Sequence, residues 1–367
     1  MTLKRTPLYE QHLAHQAKMV DFAGWEMPIE YQGIIAEHKQ VRAAAGLFDV
    51  SHMGAIMISG PQAEELLQLL VTSDVSTAHE QQVVYTLMCT EDGGVIDDFI
   101  AYKFSSDKWL LVVNAANKDK DLNWIRQHQL PESQVDDASD DYAILALQGP
   151  KAEAILQTLC PDDLSRLKPF RFLPESTVAG RPALISRTGY TGEQGFEIYL
   201  APQDASHVWQ ELLRAGGEDI APIGLGARDT LRFEAKLPLY GQEIGPDITP
   251  LEAGLHMFVN LDKEKFIGQD ALKQQAASGP PRRLVEFEMQ GRGVARSGYP
   301  VQKDGRTIGH VTSGSYAPTL EKNIGLALIE TAYAQAGETI DILVRKRTIP
   351  ARIGQGLFYR RRRRAKK

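Results

Sequence analysis

The chain has 367 residues, of which 43% are hydrophobic and 24% charged, enough for two or three domains with cores of their own. Its formal net charge is −6, and the sequence contains no run of about twenty apolar residues of the kind that crosses a membrane. The first thirty residues have no apolar segment typical of a signal peptide, so the sequence predicts a cytoplasmic globular protein.

Cysteine and histidine give no sign of a metal site or a disulfide framework. The two cysteines, Cys89 and Cys160, are far apart in the sequence and are predicted to be packed thiols. The nine histidines include no pair at zinc-ligand spacing, so His52 and His310 are interpreted as structural residues. We therefore predict that the protein binds no metal.

A strand followed by a helix occurs three times along the chain. Residues 54–60, 143–149 and 196–201 each run into a proline, and each proline precedes an apolar stripe with the spacing of one helix face. Proline favours the first helical position, which predicts that each helix begins there. Antiparallel strand pairs separate the three units, and this arrangement favours an α+β fold over a parallel doubly wound sheet.

Two adjacent aspartates, Asp97 and Asp98, interrupt an apolar strand within residues 91–117. Aspartate is rare in strands and costly to bury unless it is paired or used. Successive side chains point to opposite faces of a strand, so one of the two carboxylates must face apolar surroundings. The alternative is that one aspartate is solvated at a sheet edge and the other caps a neighbouring turn. Tyr85 and the polar residues 114–117 at the strand ends favour a functional site.

A glycine-rich turn lies in the middle of the chain. Residues 186–200 hold Gly189, Gly192 and Gly195 between two strands. Glycine permits positive φ and lets a ligand approach the backbone. A simple hairpin would need fewer glycines, so the turn is interpreted as part of a binding site.

Arg228 is predicted to lie in the first turn of a helix that follows Gly226. The helix macrodipole disfavours a cation at that end, so a ligand or a carboxylate is its expected partner. Gly224 and Gly226 do not form a dinucleotide fingerprint, because the third glycine and the strand-helix-strand unit with its acidic residue are missing.

The character of the sequence changes at about residue 279. Short alternating runs are broken by glycine turns, and Asp304-Gly305 is a hairpin signal. Residues 279–367 are therefore predicted to form an all-β domain, a small Greek-key or jelly-roll barrel with a basic tail. Residues 1–278 would form the α+β region, with two interleaved subdomains, one of them centred on about residues 52–140.

The last eight residues carry seven of the 41 Lys and Arg residues, which leaves 34 basic against 47 acidic residues in the rest of the chain. A basic tail can bind nucleic acid, but an acidic body repels a phosphate backbone. An RNA-binding module would interleave aromatic and basic residues, and only Phe358 and Tyr359 precede the run. RNA binding through the tail is the alternative of another class, and we expect no nucleic-acid partner.

Nine stretches of the sequence together identify a family. They are MVDFAGWEMP, FDVSHMG, GGVIDDF, VVNAAN, LQGPKA, SRTGYTGEQGFE, GLGARDTLRFEA, LYGQEI and VTSGSYAPTL. On these stretches the chain resembles the aminomethyltransferase (T-protein) family of the glycine cleavage system along essentially its whole length. So many stretches in one order are far more specific than any single short motif.

The resemblance implies a three-domain cloverleaf around a central channel that holds tetrahydrofolate. It also implies a reaction in which the one-carbon unit of an aminomethyl group, carried on the lipoyl arm of the H-protein, passes to tetrahydrofolate. The products would be 5,10-methylenetetrahydrofolate, ammonia and dihydrolipoyl protein. The implied partners are lipoylated H-protein and the other glycine cleavage components.

Matched motif to motif, the resemblance also implies site residues. The catalytic aspartate of the family falls on Asp98, its pterin-contacting carboxylate on Glu197, and its folate-binding arginine on Arg228. The positions that line the folate channel fall on Tyr85, Asn114 and Tyr190. A residue near the C-terminus also reaches folate in the family. The run of five arginines here departs from the family pattern, and Arg364 is assigned to this role although the run leaves open which arginine serves.

A folate-binding maintenance protein of the same fold, without aminomethyl transfer, is the nearest alternative. Such proteins carry a cysteine in a Lys-Gly-Cys motif. The corresponding stretch here runs Lys236-Leu-Pro-Leu-Tyr240-Gly-Gln-Glu243 and has no cysteine. The transferase is therefore the favoured interpretation.

Overall fold

The structure is a computed structural model that describes residues 2–356 and 358–361. Its helices are α1 (Tyr9–Ala14), α2 (Ile34–Ala43), α3 (Ala63–Leu70), α4 (Lys118–Gln127), α5 (Ala152–Gln157), α6 (Ala205–Gly216), α7 (Leu225–Glu234) and α8 (Gln269–Ser278). Its first strands are β1 (Lys18–Phe22), β2 (Trp25–Glu30), β3 (Ala45–Asp49), β4 (Gly54–Ser59), β5 (Gln82–Cys89), β6 (Val95–Ser105), β7 (Lys108–Val113), β8 (Gln134–Asp137) and β9 (Ala143–Gln148). The remaining strands are β10 (Phe172–Val178), β11 (Arg181–Ser186), β12 (Gly195–Leu200), β13 (Ile220–Pro222), β14 (Arg282–Met289), β15 (Pro300–Lys303), β16 (Arg306–Ala317), β17 (Lys322–Glu330), β18 (Thr339–Val344) and β19 (Arg347–Ile353).

The first large sheet has the order β5-β6-β7-β4-β8 and is antiparallel. Helices α3 and α4 cover one of its faces, where Leu66, Trp109 and Ile125 are fully buried. Strand β6 lies between β5 and β7, with Asp98 opposite Leu87 of β5. The aspartate pair therefore lies beside β5 on one side and beside Asn114, the residue that follows β7, on the other.

The second large sheet has the order β10-β11-β12-β9-β3-β13, and its only parallel pair is β3 with β13 among the described strands. Helices α5 and α6 pack on one face through residues such as Leu156 and Trp209. The other face shares a core cluster with the first sheet, in which the hydroxyls of Tyr102 and Tyr199 lie 2.7 Å apart. The two sheets therefore pack face to face.

The C-terminal strands form a closed antiparallel barrel in the order β14-β17-β16-β15-β18-β19. Strands β15, β16 and β17 follow one another, and β14 lies beside β17, which is a Greek-key arrangement; a jelly roll would need eight strands. Asp304 and Gly305 join β15 to β16 with φ of 51° and 79°, as a type I′ hairpin turn requires. The predicted α+β class and C-terminal barrel are confirmed, and the Greek key is the form adopted.

Helix α7 connects the barrel with the rest of the molecule. It packs on α2, on β2 and on barrel strand β16, and Phe233 at its end joins a cluster with Leu326 of the barrel. The segment between α7 and α8 returns to the first sheet, where Ile244 and Phe266 pack on β5 and β6. The division of the chain at residue 279 stays a prediction.

The predicted helix starts are correct for one proline of the three. Pro202 opens a short 3-10 turn that runs into α6. Pro61 and Pro150 lie in the turn before their helices, which begin at Ala63 and Ala152. A fixed φ suits a turn as well as a first helical residue, so proline marks the approach to a helix within about two residues.

Within the described residues, no helix is long and apolar enough to cross a membrane. Cys89 and Cys160 are buried free thiols.

Candidate active site

The Asp98 carboxyl lies where three strands meet. It projects from β6, and the Tyr85 hydroxyl of the neighbouring strand β5 donates to Asp98 Oδ2 at 2.9 Å. Asn114, the residue after β7, donates through Nδ2 to Asp98 Oδ1 at 3.0 Å. The structure thus brings together three of the residues predicted to form the site.

Asp97 is fully buried and holds the same asparagine from the adjacent position. It accepts hydrogen bonds from the Asn114 backbone N–H at 3.1 Å, from Asn114 Nδ2 at 2.8 Å and from Asn117 Nδ2 at 2.6 Å. The Nδ2 group of Asn114 is therefore within hydrogen-bonding distance of both carboxyls. One amide joins Asp97 to Asp98.

The surroundings of Asp98 tune its protonation to neutral pH. Burial raises the pKa of Asp98 to about 7, and the neighbouring Asp97 charge acts in the same direction. Hydrogen bonds from Tyr85 and Asn114 favour the ionised form and oppose the rise. Burial and the Asp98 charge hold the pKa of Tyr85 well above its ordinary value, so Tyr85 stays a neutral donor. A carboxyl with a pKa near 7 can take up and release a proton at neutral pH.

Glu197 lies on β12 of the second sheet and is almost fully buried. The Thr188 hydroxyl donates to Glu197 Oε2 at 2.5 Å. Burial raises the pKa of Glu197, while the Thr188 hydrogen bond and the charge of Arg228 oppose the rise. Glu197 is thus a buried acceptor next to a cation.

Arg228 and Tyr190 connect Glu197 with the Asp98 cluster. The Arg228 guanidinium carbon lies 4.7 Å from the centre of the Tyr190 ring, an arrangement that favours the cation. The Tyr190 hydroxyl donates to the Pro238 carbonyl oxygen. Burial raises the pKa of Tyr190, and the Asp98 charge contributes to the rise. Tyr190 is therefore close to both groups.

The glycines of the turn before β12 serve side-chain packing. A Cβ on Gly189 would lie 2.0 Å from Oε1 of Gln148, and a Cβ on Gly195 would lie 2.4 Å from Nε2 of the same residue. Gly192 has φ of +78°, and a Cβ there would lie 2.7 Å from the Cβ of Ala235. These close contacts give the glycines a packing role, and the predicted approach of a ligand to this turn stays a prediction.

Tyr359 fixes the C-terminal segment beside the same turn. Its hydroxyl donates to Glu193 Oε1 at 2.5 Å, and its ring centre lies 3.8 Å from the Arg42 guanidinium carbon. Its backbone N–H donates to the Glu234 carbonyl oxygen at 2.9 Å. Arg364, the arginine assigned to folate from the resemblance, lies outside the described residues.

Two buried charged residues beside the site, Arg232 and Asp121, were not predicted from the sequence. Arg232 lies one turn after Arg228 on α7 and donates to Glu243 at 2.9 Å and to Ser313 of the barrel at 3.2 Å. Asp121 lies in the first turn of α4 and is fully buried. The spacing of the two arginines places them on one helix face and was a usable signal. Asp121 resembles an ordinary acidic residue at a helix start.

His52 lies near Arg228 and is buried. Burial lowers the pKa of His52 to about 4, and the Arg228 charge acts in the same direction, so its ring is neutral at pH 7. Across residues 2–356 and 358–361, no group of three or more His, Cys, Asp or Glu side chains is placed to hold a metal ion. The absence of a metal from the reaction stays a prediction.

Family models match most of the chain. The GCVT N-terminal domain matches residues 8–263, and the glycine cleavage T-protein C-terminal barrel domain matches residues 282–360. The first match contains the Asp98, Glu197 and Arg228 positions, and the second contains the closed barrel.

Curated relatives and a solved structure match this chain over nearly its full length. The aminomethyltransferase of Desulfitobacterium hafniense strain Y51 is 56% identical, over 98% of this chain and 99% of the relative. The aminomethyltransferase of Bacillus subtilis strain 168 is 49% identical, over 98% of this chain and 100% of the relative. The crystal structure of glycine cleavage system aminomethyltransferase T from Bartonella henselae superimposes with a TM-score of 0.91 at 34% identity, covering 98% of this chain and 99% of that one. The fold inferred from the resemblance is confirmed.

Proposed function

Because this chain belongs to the glycine cleavage T-protein family and is an aminomethyltransferase, we propose that it transfers a one-carbon unit from the lipoyl arm of the H-protein to tetrahydrofolate, with Asp98 as the catalytic carboxylate. The observation that carries the proposal is the half-buried Asp98 side chain, whose carboxyl is held by Tyr85 and Asn114 and whose pKa is raised by desolvation to about 7. A group of this kind is suited to proton transfer at neutral pH.

Glu197 and Arg228 form the proposed binding site for the pterin ring. A pterin presents a ring N–H beside an exocyclic amino group, and a carboxylate accepts both in a bidentate pair. Glu197 is buried and already holds one donor, Thr188. Arg228 lies close enough to Glu197 for its charge to act on that carboxyl, so its guanidinium would meet the pterin carbonyl oxygen. Tyr190 would then line the path from the pterin to Asp98.

The proposed chemistry balances without any further reactant. Ammonia leaves the aminomethyl group, one tetrahydrofolate nitrogen attacks the methylene carbon, and the carbon–sulfur bond then breaks and releases the lipoyl thiolate. The second nitrogen attacks the same carbon last and closes the new ring. The two N–H protons lost by tetrahydrofolate end on ammonia and on the dihydrolipoyl thiol. An iminium-like cation forms between the two nitrogen–carbon bonds.

Asp98 has two roles in this sequence. Its negative charge stabilises the iminium-like cation, an interaction that is strengthened where water is excluded. It also takes the proton from the nitrogen that closes the ring. Tyr85 and Asn114 orient the carboxyl and share its charge, so that little reorganisation is needed during the reaction.

The basic C-terminal run is the proposed contact for anionic groups outside the site. Tyr359 holds the start of this run beside the glycine turn, and an arginine such as Arg364 would meet the glutamyl carboxylates of folate. The other arginines would attract acidic surface on lipoylated H-protein, which in turn would meet the other glycine cleavage components. The buried free thiols Cys89 and Cys160 suit the reducing conditions of the cytoplasm, where we place the reaction.

The decisive experiment measures ammonia release from aminomethylated H-protein with and without tetrahydrofolate. We expect release that depends on tetrahydrofolate and is accompanied by 5,10-methylenetetrahydrofolate. Binding of tetrahydrofolate without ammonia release would contradict the proposal and favour a maintenance protein of the same fold. Unlipoylated H-protein is the matched control, because it keeps the docking surface and lacks the donor.

A further inference from the structure

The carboxyl of Asp121 lies behind the Asp98 site without a visible donor. Asp121 is fully buried, and neither of its carboxyl oxygens receives a hydrogen bond from a donor among the described residues. Its carboxyl is within hydrogen-bonding reach of the Asp97 carboxyl. A buried carboxylate that lacks donors and faces a second carboxylate is strongly unfavourable, so this pair must hold a proton.

The contacts decide which of the two carries that proton. Asp97 already accepts three hydrogen bonds, two from Asn114 and one from Asn117. A carboxylate has about four lone-pair sites, which leaves one for a further donor. The backbone of Asp121 is fixed by α4, because its N–H donates to the Asn117 carbonyl oxygen at 2.8 Å, whereas its carboxyl receives no hydrogen bond. The proton therefore belongs on Asp121, and Asp97 is the anion that accepts it.

We propose that Asp121 remains a neutral carboxylic acid that donates a hydrogen bond to Asp97 and thereby positions Asn114 against the catalytic Asp98. This inference rests on the proposed role of Asp98. Asp121 does not touch the reacting atoms, so it is a positioning residue. The resulting chain runs from the Asp121 acid through the Asp97 carboxylate and the Asn114 amide to the Asp98 carboxyl.

Charged groups around Asp121 agree with a neutral acid. Burial raises the pKa of Asp121 to about 10, and the charge of Asp97 adds to the rise, followed by that of Asp98. Lys120 acts in the opposite direction, but its ammonium donates to the Ile96 carbonyl at 2.5 Å and to the Tyr240 hydroxyl at 2.9 Å.

The strands packed against α4, β4 and β8, place no unpaired cation beside Asp121 among the described residues. The sequence of β4 contains no titratable side chain, and Asp136 and Asp137 of β8 are exposed. Lys118 is bound to Asp137 at 2.7 Å. A neutral Asp121 leaves Asp98 with one adjacent anion, Asp97, where an ionised Asp121 would add a second and raise the pKa of Asp98 further.

Infrared spectroscopy tests the protonation state without relying on turnover. At about pH 8.5 Asp98 is ionised and Asp121 should keep its proton, so the difference spectrum between wild type and Asp121→Asn should contain one carboxylic acid C=O band. Asp119→Asn, an exposed aspartate on the same helix, should give no such band. If the wild-type protein lacks the band, the inference is overturned whatever the activity of the variants.

Kinetics of two Asp121 variants test the positioning role. Asp121→Asn keeps a donor toward Asp97, so kcat and the apparent pKa of the acidic limb of kcat/KM should stay close to wild type. Asp121→Leu has a similarly branched side chain and no donor, so kcat should fall by about ten- to a hundredfold while KM for tetrahydrofolate changes little. A clearly lower acidic-limb pKa in Asp121→Asn would show that Asp121 is ionised in the wild type.

Different results would reject the catalytic role of Asp98 and the positioning role of Asp121. If Asp98→Asn kept normal turnover, the proposed function of Asp98 would be wrong while the Asp121 band could still be observed. If Asp98→Asn were inactive and Asp121→Leu, folded as judged by its unfolding midpoint, had wild-type kcat, the positioning role alone would be rejected.

Discussion

At the scale of single residues, the two adjacent aspartates differ in what their surroundings do to a negative charge. Asp97 receives three hydrogen bonds from Asn114 and Asn117 and is fully buried. Asp98 receives one from Tyr85 and shares the Asn114 amide. Burial and the Asp97 charge raise the pKa of Asp98 to about 7. The same residue type therefore serves as a fixed anion at one position and as a proton acceptor at the next.

Asp98→Asn should lower kcat by about a hundredfold or more, because the change keeps the shape of the side chain and removes its charge. In the wild type, Asp98 acts when ionised, so kcat/KM should rise with pH through an apparent pKa of about 7. The variant should lose this acidic limb, while tetrahydrofolate affinity measured by calorimetry changes little. A wild-type profile that is flat between about pH 5 and 9 would contradict the assigned role.

Glu197→Gln should weaken tetrahydrofolate binding by about 2 to 4 kcal/mol, because the amide presents a donor to the donors of the pterin. Isothermal titration calorimetry measures the loss directly. Glu175→Gln is the control, since Glu175 lies exposed on the same sheet and its replacement should leave affinity unchanged. Equal affinities for Glu197→Gln and wild type would place the pterin elsewhere.

At the scale of elements, one polar cluster joins the start of strand β6 to the end of β7 and the start of α4, beyond the paired residues of β6 and β7. Asn114 follows β7, Asn117 precedes α4, and both donate to Asp97 in the middle of the first sheet. Apolar packing holds the rest of this interface, with Ile56 and Leu111 fully buried. The position of the Asn114 amide, and with it the orientation of Asp98, is set by this cluster.

Asp97→Asn should destabilise the protein by about 1 to 3 kcal/mol, because one acceptor oxygen becomes a donor that faces donors in a buried site. Urea unfolding followed by circular dichroism measures the change in the free energy of unfolding. Asp136→Asn, on exposed β8 of the same sheet, should have almost no effect. Turnover should fall less in Asp97→Asn than in Asp98→Asn, and the reverse order would mean that the two aspartates have been assigned the wrong way round.

At the scale of the whole molecule, α7 carries the site and joins it to the barrel. Arg228 and Arg232 lie one turn apart, and while Arg228 contacts the Tyr190 ring, Arg232 binds Glu243 and barrel residue Ser313. The chain then leaves the barrel and returns to the site through Tyr359. The basic run of residues 360–367 follows, and the rest of the sequence has an excess of acidic residues.

Truncation after Tyr359 should raise the apparent KM for H-protein, because the basic run attracts an acidic partner during encounter. Steering by exposed charges acts mainly on the association rate and is screened by salt. The increase in KM should therefore be large at low ionic strength and small at high ionic strength. An increase that is independent of salt would indicate a direct contact with folate and contradict steering.

Several features of this protein were determined by the sequence alone. The apolar stripes after residues 60, 149 and 201 predicted helices on sheets, and the alternating runs after residue 279 predicted the barrel, because these patterns depend on the local geometry of each element. Asp304-Gly305 predicted its turn, since few residue pairs adopt positive φ at both positions. The aspartate pair stood out because a charge in an apolar strand needs a reason.

Other features were decided only by the tertiary structure. Glycines at 189, 192 and 195 pack against Gln148 and Ala235, neighbours far away or on another element that no local pattern reveals. In the sequence, Asp121 resembles an ordinary acidic residue at a helix start. Only in the folded protein is it buried, with Asp97 of β6 beside it. The protonation of buried carboxyls depends on distance, desolvation and the donors present, and these are properties of the folded arrangement that the order of residues alone does not contain.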